Sequence, residues 1–173
     1  ADGLVAGTPG IALATVHADC TPVVIVDSVR QALAVVHAGW RGTLEGIVTC
    51  AVKVMEEKWG AKPERLLAAI GPTIGACCYR VSKERYQLFH GASSLAESAG
   101  TQVGDYRLDL AGINSAQLQK AGLRPEGIEV AKSCTSCQEK EFFSYRRDQG
   151  RTGRMLSLVV LKQPKSKKEK VVS

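Results

Sequence analysis

Pro22-Val23-Val24-Ile25-Val26-Asp27-Ser28-Val29-Arg30-Gln31-Ala32-Leu33-Ala34-Val35-Val36-His37 decides the fold of this 173-residue chain. Two apolar runs rich in β-branched residues flank a short polar stretch, the pattern of two strands joined by a tight connection. Ser28 and Val29 lie midway, which predicts a hairpin with Asp27 facing Arg30 and Val26 facing Gln31. Carried outward, that register sets Cys20 opposite His37, where directly paired Cβ atoms lie about 4.5–5.5 Å apart. Residues 11–17 read as a further strand upstream. The runs 11–17, 22–27 and 31–37 are nearly unbroken in apolar character, which predicts burial on both faces.

A helix should follow, with Thr43 as its N-cap and Glu45 in its first turn, where the helix dipole favours a carboxylate. Leu44, Ile47, Val48, Ala51, Met55 and Trp59 then share one face, and Gly60 ends the helix ahead of Pro63. Residues 66–70 read as another buried strand running into Gly71-Pro72. Ser82 caps a second helix, with Val81 and Tyr86 at the positions of a hydrophobic staple, and Gly91 closes it. The small and polar stretch 92–104 reads as a surface loop. Asp109 caps a third helix ending at Gly122, and strands fit 128–131 and 155–161. Strands and helices intermingle, with at least one antiparallel pair. The expectation is a single α+β domain over residues 1–161, a mixed β-sheet core flanked by about three helices.

Composition narrows the function classes. Hydrophobic residues make up 45% and charged residues 23%, which suits a globular domain and excludes a disordered or collagen-like chain. Aliphatic stretches such as Val23 to Val26 fall far short of the roughly 20 residues that a membrane helix needs. The net charge of +6 comes mostly from residues 162–173, with five lysines and one glutamate, a composition that predicts a disordered end. The rest is nearly balanced, so no basic nucleic-acid face is expected. Six cysteines, two of them adjacent at Cys77-Cys78, with no visible signal peptide, point to a reducing cytoplasm. The chain opens on Ala1-Asp2-Gly3 without a methionine, which reads as a cut N-terminus.

Cys20 and His37, if paired, reach one metal ion, since Zn–S is about 2.3 Å and Zn–N about 2.0–2.1 Å. The competing reading is a buried thiol beside a hydrogen-bonded histidine. The run His37-Ala38-Gly39-Trp40-Arg41-Gly42-Thr43 places a glycine-bounded loop and a helix start after His37, and free N–H groups there suit an anion. Arg41 adds a fork for phosphate or carboxylate, so Arg41, Gly42 and Thr43 are candidate phosphate-binding residues. Asp19 is a candidate general acid/base, or a hydrogen-bond partner of a ligand histidine. Arg146 and Arg147, within Phe142-Phe143-Ser144-Tyr145-Arg146-Arg147-Asp148, suit a stacked base and a phosphate, or else a structural Arg–Asp pair. Cys134 and Cys137 form a C-x-x-C, which with Cys77 and Cys78 would make a second metal site. Adjacent cysteines are an awkward tetrahedral pair, so buried reduced thiols are the expectation. His17 and His90 show no partners and read as packing and surface residues.

Ala18-Asp19-Cys20-Thr21-Pro22, His37 to Gly42, Ile70-Gly71-Pro72 through Cys77-Cys78-Tyr79, Cys134-Thr135 and Phe142 to Asp148 occur in order along the chain. Together they resemble the laccase-domain proteins, named multicopper polyphenol oxidoreductases and later described as purine nucleoside phosphorylases. The resemblance implies a fold like that of the cytotoxic necrotizing factor deamidase domain and a Cys/His/His metal site, taken as zinc, to which Cys20 and His37 contribute. The third ligand it implies, a histidine of a Gln-Val-His type motif, belongs to an N-terminal segment of roughly 70 residues outside this sequence. The implied activity is phosphorolysis of adenosine, inosine and related nucleosides to base and pentose 1-phosphate, with adenosine deamination second.

Three rivals are weighed against it. A copper polyphenol oxidase needs several histidine-rich sites, and the chain has three histidines. A metal-free cysteine hydrolase or deamidase would use Cys20 as nucleophile and His37 as base. A binding module would contact nucleic acid through the lysine tail, with steep salt dependence.

Overall fold

Alternation along the strands sets the layers. In the computed structural model, which describes residues 2–91 and 105–162, the two apolar runs form Thr21–Asp27 (β3) and Ala32–Ala38 (β4). Gly3–Ala6 (β1) precedes them, as does Ala12–His17 (β2). Leu67–Ile70 (β5), Ile128–Val130 (β6) and Met155–Val160 (β7) complete the strands. The main sheet runs β1-β4-β3-β5-β6, antiparallel except for the parallel β5–β6 pair, while β2 and β7 form a separate antiparallel ribbon. The mixed-sheet α+β expectation holds. β1 was not foreseen, and the expected loop 92–104 and the tail beyond residue 162 lie outside the described residues.

Successive side chains on a strand point to opposite faces. Ala32, Ala34 and Val36 of β4, with Val23 and Ile25 of β3, therefore pack together on one face against Val48, Val52 and Met55 of the helix Ile47–Trp59 (α2) and Leu118 of Leu110–Lys120 (α4). Leu33 and Val35 turn the other way and pack with Leu13 of the ribbon. β4 is thus covered on both faces, as its composition predicts. β2 is not: Val16 is exposed while Leu13, Thr15 and His17 are buried, because the ribbon has the sheet on one side only.

Two local expectations are corrected. The hairpin loop holds Ser28 to Gln31, with Asp27 opposite Ala32 and Pro22 opposite His37. The Asp27 carboxylate accepts the N–H groups of Val29 and Arg30, both at 2.9 Å, and Gln31 takes a left-handed φ of 54°, so the connection is two residues longer than a Ser28-Val29 turn. Cys20 precedes β3 and does not face His37 directly. The shift is even, however, so both keep the same side of the sheet. The helix after β4 is also displaced. It begins at Trp40 as a five-residue turn, Trp40–Leu44 (α1), capped by Gly39 rather than Thr43. Gly46, at φ 73°, breaks it from α2, so Glu45 ends one helix instead of opening another. With Lys83–Gly91 (α3), the described residues hold four α-helices where about three were expected. Ser82 and Asp109 accept the N–H groups of Arg85 and Gly112 as foreseen, and Gly60 closes α2 with φ 63°.

Candidate functional site

β2 ends at His17 and β3 starts at Thr21, so the chain reverses over three residues. Asp19 makes the reversal with a left-handed φ of 80°, a conformation that Asp tolerates better than most residues. The carbonyl of Asp19 accepts the Ile74 N–H at 3.0 Å and the Thr73 hydroxyl at 2.7 Å. Its buried carboxylate accepts the Thr135 hydroxyl and the Arg146 N–H, each at 2.6 Å. Both carboxylate oxygens are therefore engaged in holding two distant loops against the turn that presents Cys20.

Cys20 comes from that turn and His37 from β4. A Cβ built on Gly39 would lie 3.2 Å from Cys20 Sγ and 3.9 Å from His37 Nε2. The thiol and the imidazole thus flank one small space, open because residue 39 is glycine. A thiol and an imidazole nitrogen are ligands for zinc or copper, and here both border the same small space. Burial, then Asp19, then Asp2, raise the Cys20 thiol above its ordinary value, so nearby groups hold it protonated unless a cation compensates. A free catalytic cysteine needs the opposite shift, which weighs against the metal-free hydrolase.

Around this pair opens a cleft of about 380 Å³ at the edge between sheet and ribbon, within the size range of small-molecule sites. Its walls carry Trp40, Tyr79 and Tyr145 with Arg85, Arg146 and Arg154. The cations lie over the rings: Arg85 is 4.3 Å from the Trp40 centroid, Arg146 5.2 Å from Tyr79 and Arg154 5.8 Å from Tyr145. Flat π-faces beside guanidinium groups suit an aromatic base attached to an anion. A wider hollow of about 590 Å³ between α2 and α4 carries none of the nominated residues, and its lining offers no comparable chemistry.

The cleft brings together Asp19, Cys20, His37 and Arg146. The other nominated residues lie elsewhere. Arg41 is exposed and packs on Trp40 at 4.9 Å. A Cβ on Gly42 would meet Ile47 at 3.3 Å. Thr43 is fully buried: its hydroxyl accepts from Asn114 at 3.0 Å, and its carbonyl accepts from Gln117 at 2.6 Å. Arg147 grips Asp148 through two nitrogens and donates to the carbonyls of Thr135 and Phe142. It is the structural Arg–Asp pair, set in turns rather than on a strand.

His17 is corrected in the other direction. It is 4% exposed, lines the cleft, and its Nε2 lies 2.8 Å from the Ser157 hydroxyl of β7. Burial, then the neighbouring His37, lower its pKa to about 4. Residues 13, 15 and 17 point inward along the ribbon, so period-two alternation was the available signal. Tyr79, Arg85 and Arg154 were also missed: Tyr79 and Arg154 come from loops and Arg85 from the first turn of α3, and only the tertiary fold brings them here.

The four remaining nominated cysteines are not buried: Cys77 and Cys137 are exposed and Cys78 and Cys134 half-buried. Their sulfurs nevertheless gather within 4.8 Å of one another. At Cys134 burial opposes ionisation, but N–H groups of Gly75, Cys137 and Ser136, with the Cys77 thiol, bring it down to about 7. The thiols of Cys78, Cys134 and Cys77 push Cys137 up to about 12.

Residues 1–162 match the family model described as multi-copper polyphenol oxidoreductase laccase. The chain is 37% identical over 164 residues to purine nucleoside phosphorylase YlmD of Bacillus subtilis, covering 94% of this chain and 59% of the relative. It is 36% identical over 157 residues to adenosine deaminase RL5 of an unknown prokaryotic organism, covering 87% of this chain and 60% of that one. The crystal structure of Bacillus licheniformis hypothetical protein YfiH superposes with a TM-score of 0.87 at 40% identity, over 93% of this chain and 61% of that chain. The chain thus spans about three-fifths of the length of these relatives. Among the described residues no helix is long and apolar enough to cross a membrane.

Proposed function

Because the chain belongs to the multi-copper polyphenol oxidoreductase laccase family, we propose that its cleft is the working site of a purine nucleoside phosphorylase that holds zinc through Cys20 and His37. The observation that carries this reading is the convergence of that pair with aromatic faces and three arginines in one cleft. Relatives named purine nucleoside phosphorylase and adenosine deaminase support the substrate class. Held by Cys20 and His37, zinc would supply a Lewis acid and lower the pKa of water beside the substrate.

The chain's own residues do the rest. Tyr79, Tyr145 and Trp40 offer flat surfaces to a purine, and Arg146, Arg85 and Arg154 supply the charge that draws phosphate toward the sugar carbon C1′. Attack of phosphate there breaks the glycosidic bond and gives free base and pentose 1-phosphate. Arg41, outside the lining, holds the Trp40 ring in place by stacking on it at 4.9 Å. Asp19 acts as a positioning residue for Cys20 and Arg146, since its oxygens are already engaged. We also infer a third ligand, a histidine from a segment preceding residue 1, supplied by the same protein, and a cytoplasmic setting for the reduced thiols. A multicopper oxidase is disfavoured because, among the described residues, two histidines, His17 and His37, line the cleft, and a copper oxidase needs several histidine-rich sites.

The test measures base release from adenosine and inosine with and without phosphate, together with bound metal, on the chain alone and joined to such a segment. Phosphate-dependent release with zinc bound is expected, and phosphate-independent release, or copper with phenol oxidation, overturns it. Deamination of adenosine is the second reaction for the same cleft. Arg146→Ala should raise the KM for phosphate roughly tenfold or more while leaving deamination largely intact.

A further inference from the structure

We propose that Cys77, Cys78, Cys134 and Cys137 form a second metal site, a zinc tetrathiolate that clasps the two loops walling the cleft. With Zn–S bonds of about 2.3 Å, the sulfurs of a tetrahedral site stand about 3.8 Å apart. All four sulfurs here lie within 4.8 Å of one another, with Cys77–Cys137 at 3.7 Å and Cys78–Cys137 at 3.3 Å. A disulfide would need about 2.05 Å, and all four thiols are free. Four soft sulfurs in this arrangement select zinc over the hard cations.

The adjacent pair, an obstacle in an extended chain, is solved by a turn. The N–H groups of Cys78 and Tyr79 both donate to the Gly75 carbonyl at 2.9 Å. The chain curls there, so neighbouring side chains need not point to opposite sides as on a strand. The other pair stands on a matching turn, where Cys137 and Gln138 donate to the Cys134 carbonyl at 3.2 and 3.0 Å. Gly75 lets the turns meet: its N–H donates to Cys134 Sγ at 3.2 Å, and a Cβ there would come within 3.2 Å of Cys77 Sγ. An amide donor of this kind disperses thiolate charge. Arg107, donating to the carbonyls of Ala76 and Cys77, sets a positive charge nearby. Binding releases the protons the four thiols still carry, and four thiolates around one Zn²⁺ leave a net charge of −2 for these groups to offset.

The site would serve the cleft at one remove. Thr135, next to Cys134, donates its N–H to the Thr73 carbonyl at 3.0 Å and its hydroxyl to Asp19. Ile74 and Tyr79 line the cleft from the first loop, Tyr145 and Arg146 from the second. Metal at the four sulfurs locks these walls together and touches no substrate.

The inference stands independently of the nucleoside reaction. Zinc is quantified after anaerobic purification of the unmutated chain, of Cys20→Ala/His37→Ala and of Cys77→Ser/Cys137→Ser. The first double variant should keep about one zinc per chain, and the second should lose that zinc while retaining whatever Cys20 and His37 hold. Should the serine variant fail to fold, cobalt(II) added to the metal-stripped unmutated chain gives an independent readout. Intense thiolate-to-cobalt absorption of a four-sulfur site is expected, unchanged in Cys20→Ala/His37→Ala. The proposal is overturned if that variant binds neither zinc nor cobalt, if iron occupies the four sulfurs, or if peptide mapping finds a disulfide within the cluster.

Discussion

Gly39 tests the metal pair most cleanly at the scale of single residues. Its φ of −69° and ψ of 176° suit any L-residue, so Gly39→Ala carries no left-handed strain. The new methyl would stand 3.2 Å from Cys20 Sγ and 3.9 Å from His37 Nε2, in the space an ion would share with both. The variant should unfold within about 1 kcal/mol of the parent yet bind zinc at this pair roughly ten- to a hundredfold more weakly. Metal titration beside thermal unfolding reads the two effects apart, and unchanged affinity would mean that the pair does not hold the ion. His17 gives a pH test. Its ring, ordinarily near 6.5, titrates near 4 in the folded protein, because burial and then His37 disfavour its charge. Above pH 6.5 both folded and unfolded chains carry it neutral, and its contribution to stability is constant. As pH falls from 6.5 to about 4 the unfolded chain takes up the proton first, so folding loses stability, by roughly 2 kcal/mol once partial solvent screening is allowed for. His17→Gln should remove that part of the acid slope in urea titrations, and an identical slope would refute it. His17 was hard to see in the sequence because its partner Ser157 lies 140 positions away. Cys20 and His37 stood out because a hairpin register set them opposite each other; the register is off by two residues, but an even shift keeps both on one side of the sheet.

Strands were legible and their register was not. Apolar runs are signals insensitive to long-range context, and six of the seven strands among the described residues lie within a residue or two of where the sequence places them. β1 reads Gly-Leu-Val-Ala and runs into Gly7-Thr8-Pro9-Gly10, where turn-favouring residues hide the strand pattern. Register depends on how many residues the turn consumes, and here one side chain decides it. Asp27, buried at 1% exposure, accepts two N–H groups at 2.9 Å, which binds Ser28 to Gln31 into the loop. Asp27→Ala leaves those donors without their acceptor and should cost about 1–3 kcal/mol, measured by chemical denaturation, while Asp27→Asn should recover much of it. A loss below about 0.5 kcal/mol would show that the strands alone set the register. The same residue-level control explains the helices: Gly46 at φ 73° interrupts a periodicity that otherwise runs unbroken from Leu44 to Trp59.

Among the described residues, two of three hydrophobic cores lie on opposite faces of one sheet, and the cleft opens beside the second of them, with Ile74 and Tyr79 of the third core in its wall. Val23, Ala34 and Val36 meet α2 on the first face, and Leu33 and Val35 meet the ribbon on the second. His37 continues the second row, and His17 ends the ribbon's inward row, so the cleft opens where sheet and ribbon part. Matched cavities in the two cores should therefore have unequal consequences. Leu13→Ala, between ribbon and sheet, and Met55→Ala, between α2 and sheet, each remove a buried side chain and should each cost about 2–5 kcal/mol. Only Leu13→Ala loosens the layer contact that holds His17 and the Asp19 turn over His37. At a temperature where both variants remain folded, it should weaken metal binding at Cys20 and His37, and Met55→Ala should leave that affinity near the parent's. Calorimetric unfolding and metal titration on the same samples decide the matter. Equal weakening in both variants would mean that the site senses global stability rather than the seam between the two sheets.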